Sequence, residues 1–209
     1  MLKMKWLIVS EFKKSIEAYA KYVVQQAKSN LTKQKKGGGK LYNSLDYIIK
    51  QRRDSGGRFE TGYSVEFLME DYGVFQDQGV KGKDPSKVSP NTEIVGQQAP
   101  NSKFRFGSGK SNKTFKDFVK QMSAWAKRKN VRFRQYKTVD GKKKSTGKYA
   151  EGNYKSLGYV IASNIYNRGI RPSMFFTKPF EAGIKRFGDD IAVSYGNDVL
   201  KELVKKWVQ

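Results

Sequence analysis

The first chemical fact is an absence: the chain contains no histidine and no cysteine. Imidazole acid–base catalysis, histidine-activated nucleophiles, thiolate metal sites and disulfides are therefore outside its repertoire. Carboxylates remain. Glu66, Glu70, Asp71 and Asp77 cluster in sequence, and Asp140-Gly141-Lys142 stands apart. A Mg²⁺-dependent nuclease would need two or three such carboxylates converging near a lysine to hold an in-line phosphodiester. Asp140 falls in a turn of a polar loop, without the rigid strand that catalysis requires. The Glu66–Asp77 group is the more credible, yet an acidic strand end in so basic a chain reads more simply as a docking patch for a basic neighbour. Gly107-Ser-Gly-Lys-Ser111 imitates a phosphate-binding loop before a helix. The full loop needs a glycine five residues before Gly109, where this chain has Phe104. No catalytic residue, metal or cofactor is assigned on these grounds.

The second signal is charge. With 42 Lys and Arg against 19 Asp and Glu, the 209-residue chain carries a formal charge of +23, which attracts polyanions. Arg128, Lys129, Arg132, Arg134 and Lys137 interleave with Phe133 and Tyr136, a mixture suited to phosphate contact and base stacking. Lys142, Lys143 and Lys144 extend the basic set as candidate DNA or polyanion contacts. A solvated helix end followed by a charge-guarded edge strand explains the same residues without a ligand. The longest purely apolar run, Trp6–Val9, is far short of a bilayer span, so a soluble chain with no membrane partner is expected. Thirteen Phe and twelve Tyr point to an aromatic-rich core.

The elements that position these residues follow from periodicity. Phe12, Ile16, Tyr19, Ala20, Val23, Val24 and Ala27 form a helical stripe capped by Ser10, expected to run to about Asn30. Leu41–Lys50 and Arg58–Met69 read as the two strands of a hairpin, with Tyr47 and Ile49 on one face. The stretch from Asp71 to Gly82 reads as a short helical turn ended by Gly79. Residues 81–113 hold three of the five prolines and read as a connection projecting from the fold, with Phe104 and Phe106 its large apolar residues. Thr114–Lys129 is helical, with Phe115, Phe118, Val119, Met122 and Trp125 on one face. Residues 137–152 read as a mobile basic tip. Leu157, Val160, Ile161, Ile165 and Tyr166 predict a helix ended by Gly169. A corner of Gly169, Pro172, Phe175, Phe176, Pro179 and Phe180 follows, then a helix opened by Pro179 that Gly188 and Gly196 break into two pieces.

The order of these segments resembles the tail-component and head–tail completion proteins of tailed bacteriophages. An N-terminal amphipathic helix, Gly39-Lys-Leu-x-x-Ser-Leu45, a hairpin, Tyr72-Gly-Val-Phe-Gln-Asp-Gln-Gly-Val80 and a Pro179-Phe-x-x-x-Ile184 helix carry the likeness. Trp125–Val131, Ser156–Pro172 and Phe175-Phe176 add a similarity to neck and connector variants of that group. The resemblance implies an α+β fold in which a small antiparallel sheet is packed by the N- and C-terminal helices. It further implies an inserted helical subdomain and long extended loops. The corresponding division is residues 1–80 for the helix and hairpin, 81–153 for the insertion, and 154–209 for the C-terminal helices that complete the core.

The resemblance also implies a homo-oligomeric ring of six or twelve copies at the portal–tail junction of a virion assembled in the host cytoplasm. Its partners would be a portal or adaptor ring and tail tube proteins, with DNA passing through the lumen. Phe104, Phe106, Tyr72, Phe75 and Asp77 are then the candidate assembly contacts. The alternatives are a basic nucleic-acid-binding protein for packaging or organisation, and the carboxylate nuclease.

Overall fold

A computed structural model describes residues 10–53, 59–87, 96–109, 114–149 and 153–207. It is an α+β chain of two compact units: residues 1–77 with 173–209, and residues 78–172 between them.

The first unit is built on two long antiparallel helices. Helix α1 (Glu11–Lys33) is capped by Ser10, whose Oγ accepts from the Lys13 amide at 3.0 Å, and it buries the apolar stripe from Phe12 to Leu31. Its partner α6 (Thr177–Trp207) runs the other way. The amide of Phe12 donates to Asp198 at one end, and the Asn30 side chain donates to the Phe175 carbonyl at the other. The expected break at Gly188 and Gly196 does not occur. A helix interior tolerates each glycine at a cost of about 1 kcal/mol, which packing along α1 outweighs. Gly183 makes room for an α1 side chain: a Cβ there would lie 2.7 Å from the Tyr19 ring.

A hairpin of β1 (Asp46–Arg53) and β2 (Phe59–Leu68) covers this pair. Its register opposes Tyr47 to Phe67 and Ile49 to Val65, so these residues share the inward face. Phe67 meets the rings of Tyr19, Phe176 and Phe180 edge-on at 5.3–6.1 Å. Residue types place the start of the first strand at Leu41; instead Lys40–Ser44 is a short helix, α2, and pairing starts at Asp46. Leu41 and Leu45, four residues apart, both enter the core beside Leu31 and Phe175, as one helical turn followed by its cap places them. Helix α3 (Gly73–Gln78) follows the hairpin and ends at Gly79, whose φ of +72° places it in the left-handed region.

The second unit packs α4 (Phe115–Arg128) against α5 (Tyr154–Arg168). Gly158 lies so close to α4 that a Cβ would meet Ser123 Oγ at 2.0 Å. Strand β3 (Val80–Lys81) pairs with β6 (Gly169–Ile170), tying together the two ends of the insertion. Gly169, with φ +98°, ends α5, and a Cβ there would sit 2.2 Å from the Val80 carbonyl oxygen. The division expected from sequence places α5 with the C-terminal helices. It belongs to the insertion, because it packs along α4 with Gly158 against Ser123, and the boundary falls between Pro172 and Ser173.

The segment expected to project, residues 81–113, is tied into this unit by backbone hydrogen bonds at several of its described residues. The Lys81 amide donates to the Phe104 carbonyl, the Phe106 amide donates to the Lys81 carbonyl, and the Gln98 amide donates to the Arg168 carbonyl. The Gln97 side chain bonds both the amide and the carbonyl of Gly82, at 2.8 and 3.1 Å, as a neighbouring strand would. Residues 88–95 and 110–113 of this segment lie outside the described residues. The basic tip is also ordered: β4 (Arg134–Val139) and β5 (Lys142–Tyr149) form an antiparallel hairpin. Asp140 and Gly141, with φ of 52° and 70°, make its two-residue turn, the strongest short-range hairpin signal in this stretch.

Candidate functional sites

Asp77 is the most tightly engaged carboxylate of the acidic cluster. The resemblance makes it an assembly contact; it is instead 3 % exposed, and its Oδ1 accepts from the amides of Phe176 and Thr177 at 2.8 and 3.2 Å. Oδ2 accepts from the Thr177 hydroxyl. The Met174 amide donates to the Asp77 carbonyl, and the Ser173 amide and hydroxyl donate to the Gln76 carbonyl. The first turn of α6 thereby has a full account of its donors. The Lys178 amide donates to the Met174 carbonyl at 3.4 Å, and Pro179, at the third helical position rather than the first, has no N–H to satisfy. A carboxylate there also complements the positive end of the helix. Asp77 thus fixes the corner from across the chain. Sequence conceals this role because a cap roughly a hundred residues away leaves no local pattern.

The rest of the nuclease candidate is dispersed. Glu66 lies on the outward face of the hairpin, held at 2.7 Å by Lys50, while Glu70 and Asp71 are exposed beside α3. Among the described residues no group of three or more Asp or Glu could hold a metal ion. Asp140 is exposed in the β4–β5 turn.

The Gly107-Ser108-Gly109 segment borders a cavity of about 500 Å³ with Arg105, Phe106, Thr114, Phe115, Phe118, Gln121 and Tyr166. Its walls are aromatic: Phe106 stacks on Phe118 at 6.0 Å, and Tyr166 meets Phe106 and Phe115 at 5.5 and 5.2 Å. The α4 N-terminus that would receive a phosphate is already closed by a capping box. Thr114 Oγ1 accepts from the Asp117 amide, and Asp117 accepts from the Thr114 amide and hydroxyl. That carboxylate repels an anion where a phosphate loop would attract one. Phe106, one of the candidate assembly contacts, is a half-buried member of this aromatic wall. Phe104 is half-buried, with its carbonyl engaged by Lys81.

Tyr72 and Phe75 remain at the surface, 44 % and 42 % exposed. On α6, Val193, Leu200, Leu203, Val204 and Trp207 are exposed on the turns at and beyond the start of α1. Helical spacing places these apolar residues in the segment that closes the chain, and their exposure is a feature periodicity could not supply. Of the corner residues, Phe175 is fully buried, and Phe176 and Phe180 pack on Phe67.

The basic residues fall in three consecutive places. Arg128 and Lys129 end α4, Arg132 lies in the following connection, and Arg134, Lys137, Lys142, Lys143 and Lys144 are on the hairpin. Every β4 side chain is exposed, and Tyr136 and Tyr149 are 58 % and 51 % exposed. Lys137, Lys142 and Lys144 have no ion pair with any described residue.

No model of a known protein family, no curated protein and no solved structure matches this chain. Among the described residues, no helix is long and apolar enough to cross a membrane.

Proposed function

We propose that this chain is a structural virion protein, a ring-forming component of the portal–tail junction of a tailed bacteriophage, with no catalytic activity. The observation that carries the reading is the junction made by Asp77. The Tyr72–Val80 element and the helix beginning near Pro179 carry the sequence resemblance. The buried carboxylate of one caps the first turn of the other. Those short motifs therefore belong to one physical device, which supports taking them together rather than as separate coincidences.

In this reading a neighbouring copy covers the exposed apolar side chains of the first unit, Tyr72, Phe75 and the α6 stripe from Val193 to Trp207. The ring comprises six or twelve copies, adjoins a portal or adaptor ring and tail tube proteins, and surrounds the DNA path. A charge of +23 opposes self-association until DNA or acidic neighbours neutralise it. Negative-stain imaging of the purified protein, with and without duplex DNA, tests this. Closed rings favoured by polyanion or by raised salt are expected. A monomer under every condition overturns the ring, and rings indifferent to salt and polyanion overturn the charge control. The exposed basic hairpin favours a second reading, a nucleic-acid-binding protein for packaging or organisation. It would bind DNA tightly and form no ring.

A further inference from the structure

We propose that the β4–β5 ribbon is a duplex-DNA-binding arm whose contact surface is one face only, that of Lys137, Lys142 and Lys144. The choice of duplex DNA as ligand rests on the virion reading above; the assignment of the face rests on the register. Lys137 lies directly opposite Lys144, and Val139 opposite Lys142, which places the three lysines on one side of the ribbon. Tyr136 opposite Ser145, Thr138 opposite Lys143, and Arg134 opposite Tyr149 belong to the other side, where no two cations are directly opposed.

Like charges directly opposed across an antiparallel pair are destabilising, and an isolated two-stranded hairpin is marginal to begin with. The Lys137–Lys144 pair therefore works against its own element, and no described carboxylate neutralises it. Lysines that merely guard an edge against pairing need no such opposition. Opposed residues lie about 5 Å apart at Cβ, and Lys142 and Lys144, two positions apart on one strand, about 7 Å apart. That spacing lets three flexible ammonium groups address neighbouring phosphates. A two-stranded ribbon also fits the width of the major groove. The face offers lysine point charges rather than planar guanidinium forks, so binding should neutralise phosphates without reading sequence. The whole hairpin carries six Lys or Arg against Asp140 alone.

The test is anisotropy of a labelled random-sequence duplex titrated with the full chain from 50 to 200 mM salt. In the K137Q/K142Q/K144Q variant, the slope of log K against log salt should become shallower by about 2.7, at about 0.9 for each B-DNA phosphate no longer neutralised. Affinity should fall at least about tenfold. A K14Q/K21Q/K33Q variant removes the same charge from α1, and its slope should change by less than about 1. Equal losses in both variants would mean that net charge alone binds DNA and would overturn the proposal, as would an unchanged slope in the ribbon variant. K137R/K142R/K144R, which keeps charge and strand propensity, should retain binding; if it too fails, the face is structural. Poly-glutamate competing better than duplex, with its binding lost in the ribbon variant, would assign the arm to an acidic protein instead. Imaging the same preparations separates the two proposals. Rings from a variant with wild-type affinity sink only the arm, whereas salt-sensitive ribbon binding without rings sinks only the ring.

Discussion

Replacing Asp77 tests the junction on which the functional reading depends. Asp77→Ala removes the acceptor for two backbone amides and one hydroxyl, all in the first turn of α6. Hydrogen bonds to a charged group are each worth about 1.5–3 kcal/mol, and loss of a helix cap costs about 1 kcal/mol. These figures overlap, because the same bonds make up the cap, and water can reach part of the opened site. A net cost of about 3–4 kcal/mol is therefore expected. Asp77→Asn retains an acceptor for the Phe176 and Thr177 amides but presents either an N–H₂ group to the Thr177 hydroxyl or the wrong geometry to the amides; it should cost about 1–2 kcal/mol. The assay is urea unfolding followed by far-ultraviolet circular dichroism, with a thermal scan in which Asp77→Ala lowers Tm by on the order of 10 °C. A Thr177→Val background should shrink the Asp77→Ala penalty, since the two side chains share a bond. An Asp77→Ala protein within about 0.5 kcal/mol of wild type would refute the capping role. An Asn variant as damaged as the Ala variant would show that acceptor geometry contributes nothing.

Other substitutions probe each unit separately. The Tyr19 hydroxyl is buried without a hydrogen-bond partner among the described residues, and burial pushes its pKa up to about 12. Unfolded tyrosine ionises near 10, so the folded state holds its proton longer, and stability that is full below pH 10 should decline as pH rises toward 12. Tyr19→Phe should raise the urea midpoint at pH 7 by an amount worth about 1 kcal/mol and flatten that alkaline decline. Gly183→Val should destabilise the first unit by about 1–3 kcal/mol in the same assay, because the added side chain overlaps the Tyr19 ring and Val23. Phe106→Ser should destabilise the second unit by about 2–3 kcal/mol by removing the ring that packs on Phe118 and Tyr166, read as increased amide hydrogen exchange in α4 and α5.

Local signals were enough for much of the fold. Ser10 starts a helix because its hydroxyl can accept an amide three residues on, a cap visible in the chain itself, and Thr114 does the same for α4. Alternation in Tyr63, Val65 and Phe67 set the hairpin face, and Gly79 and Gly169 marked helix ends at positive φ. The stretch around Leu41 misled because apolar residues four apart fit a short strand or a single helical turn, and only the core behind them chooses. The β4–β5 hairpin was hidden by lysine content, although Asp140-Gly141 supplied its turn.

What the sequence by itself determined is therefore what neighbours along the chain can decide: caps, turns, periodic stripes and the absence of imidazole and thiol chemistry. The tertiary structure decided the roles of the charged and aromatic side chains. Asp77 became a cap and Phe106 a wall residue through partners far away in sequence. Lys137 and Lys144 became an opposed pair only once strand register set them face to face. Contact identity depends on chain closure, and residue type and spacing alone do not specify which distant surfaces closure will join.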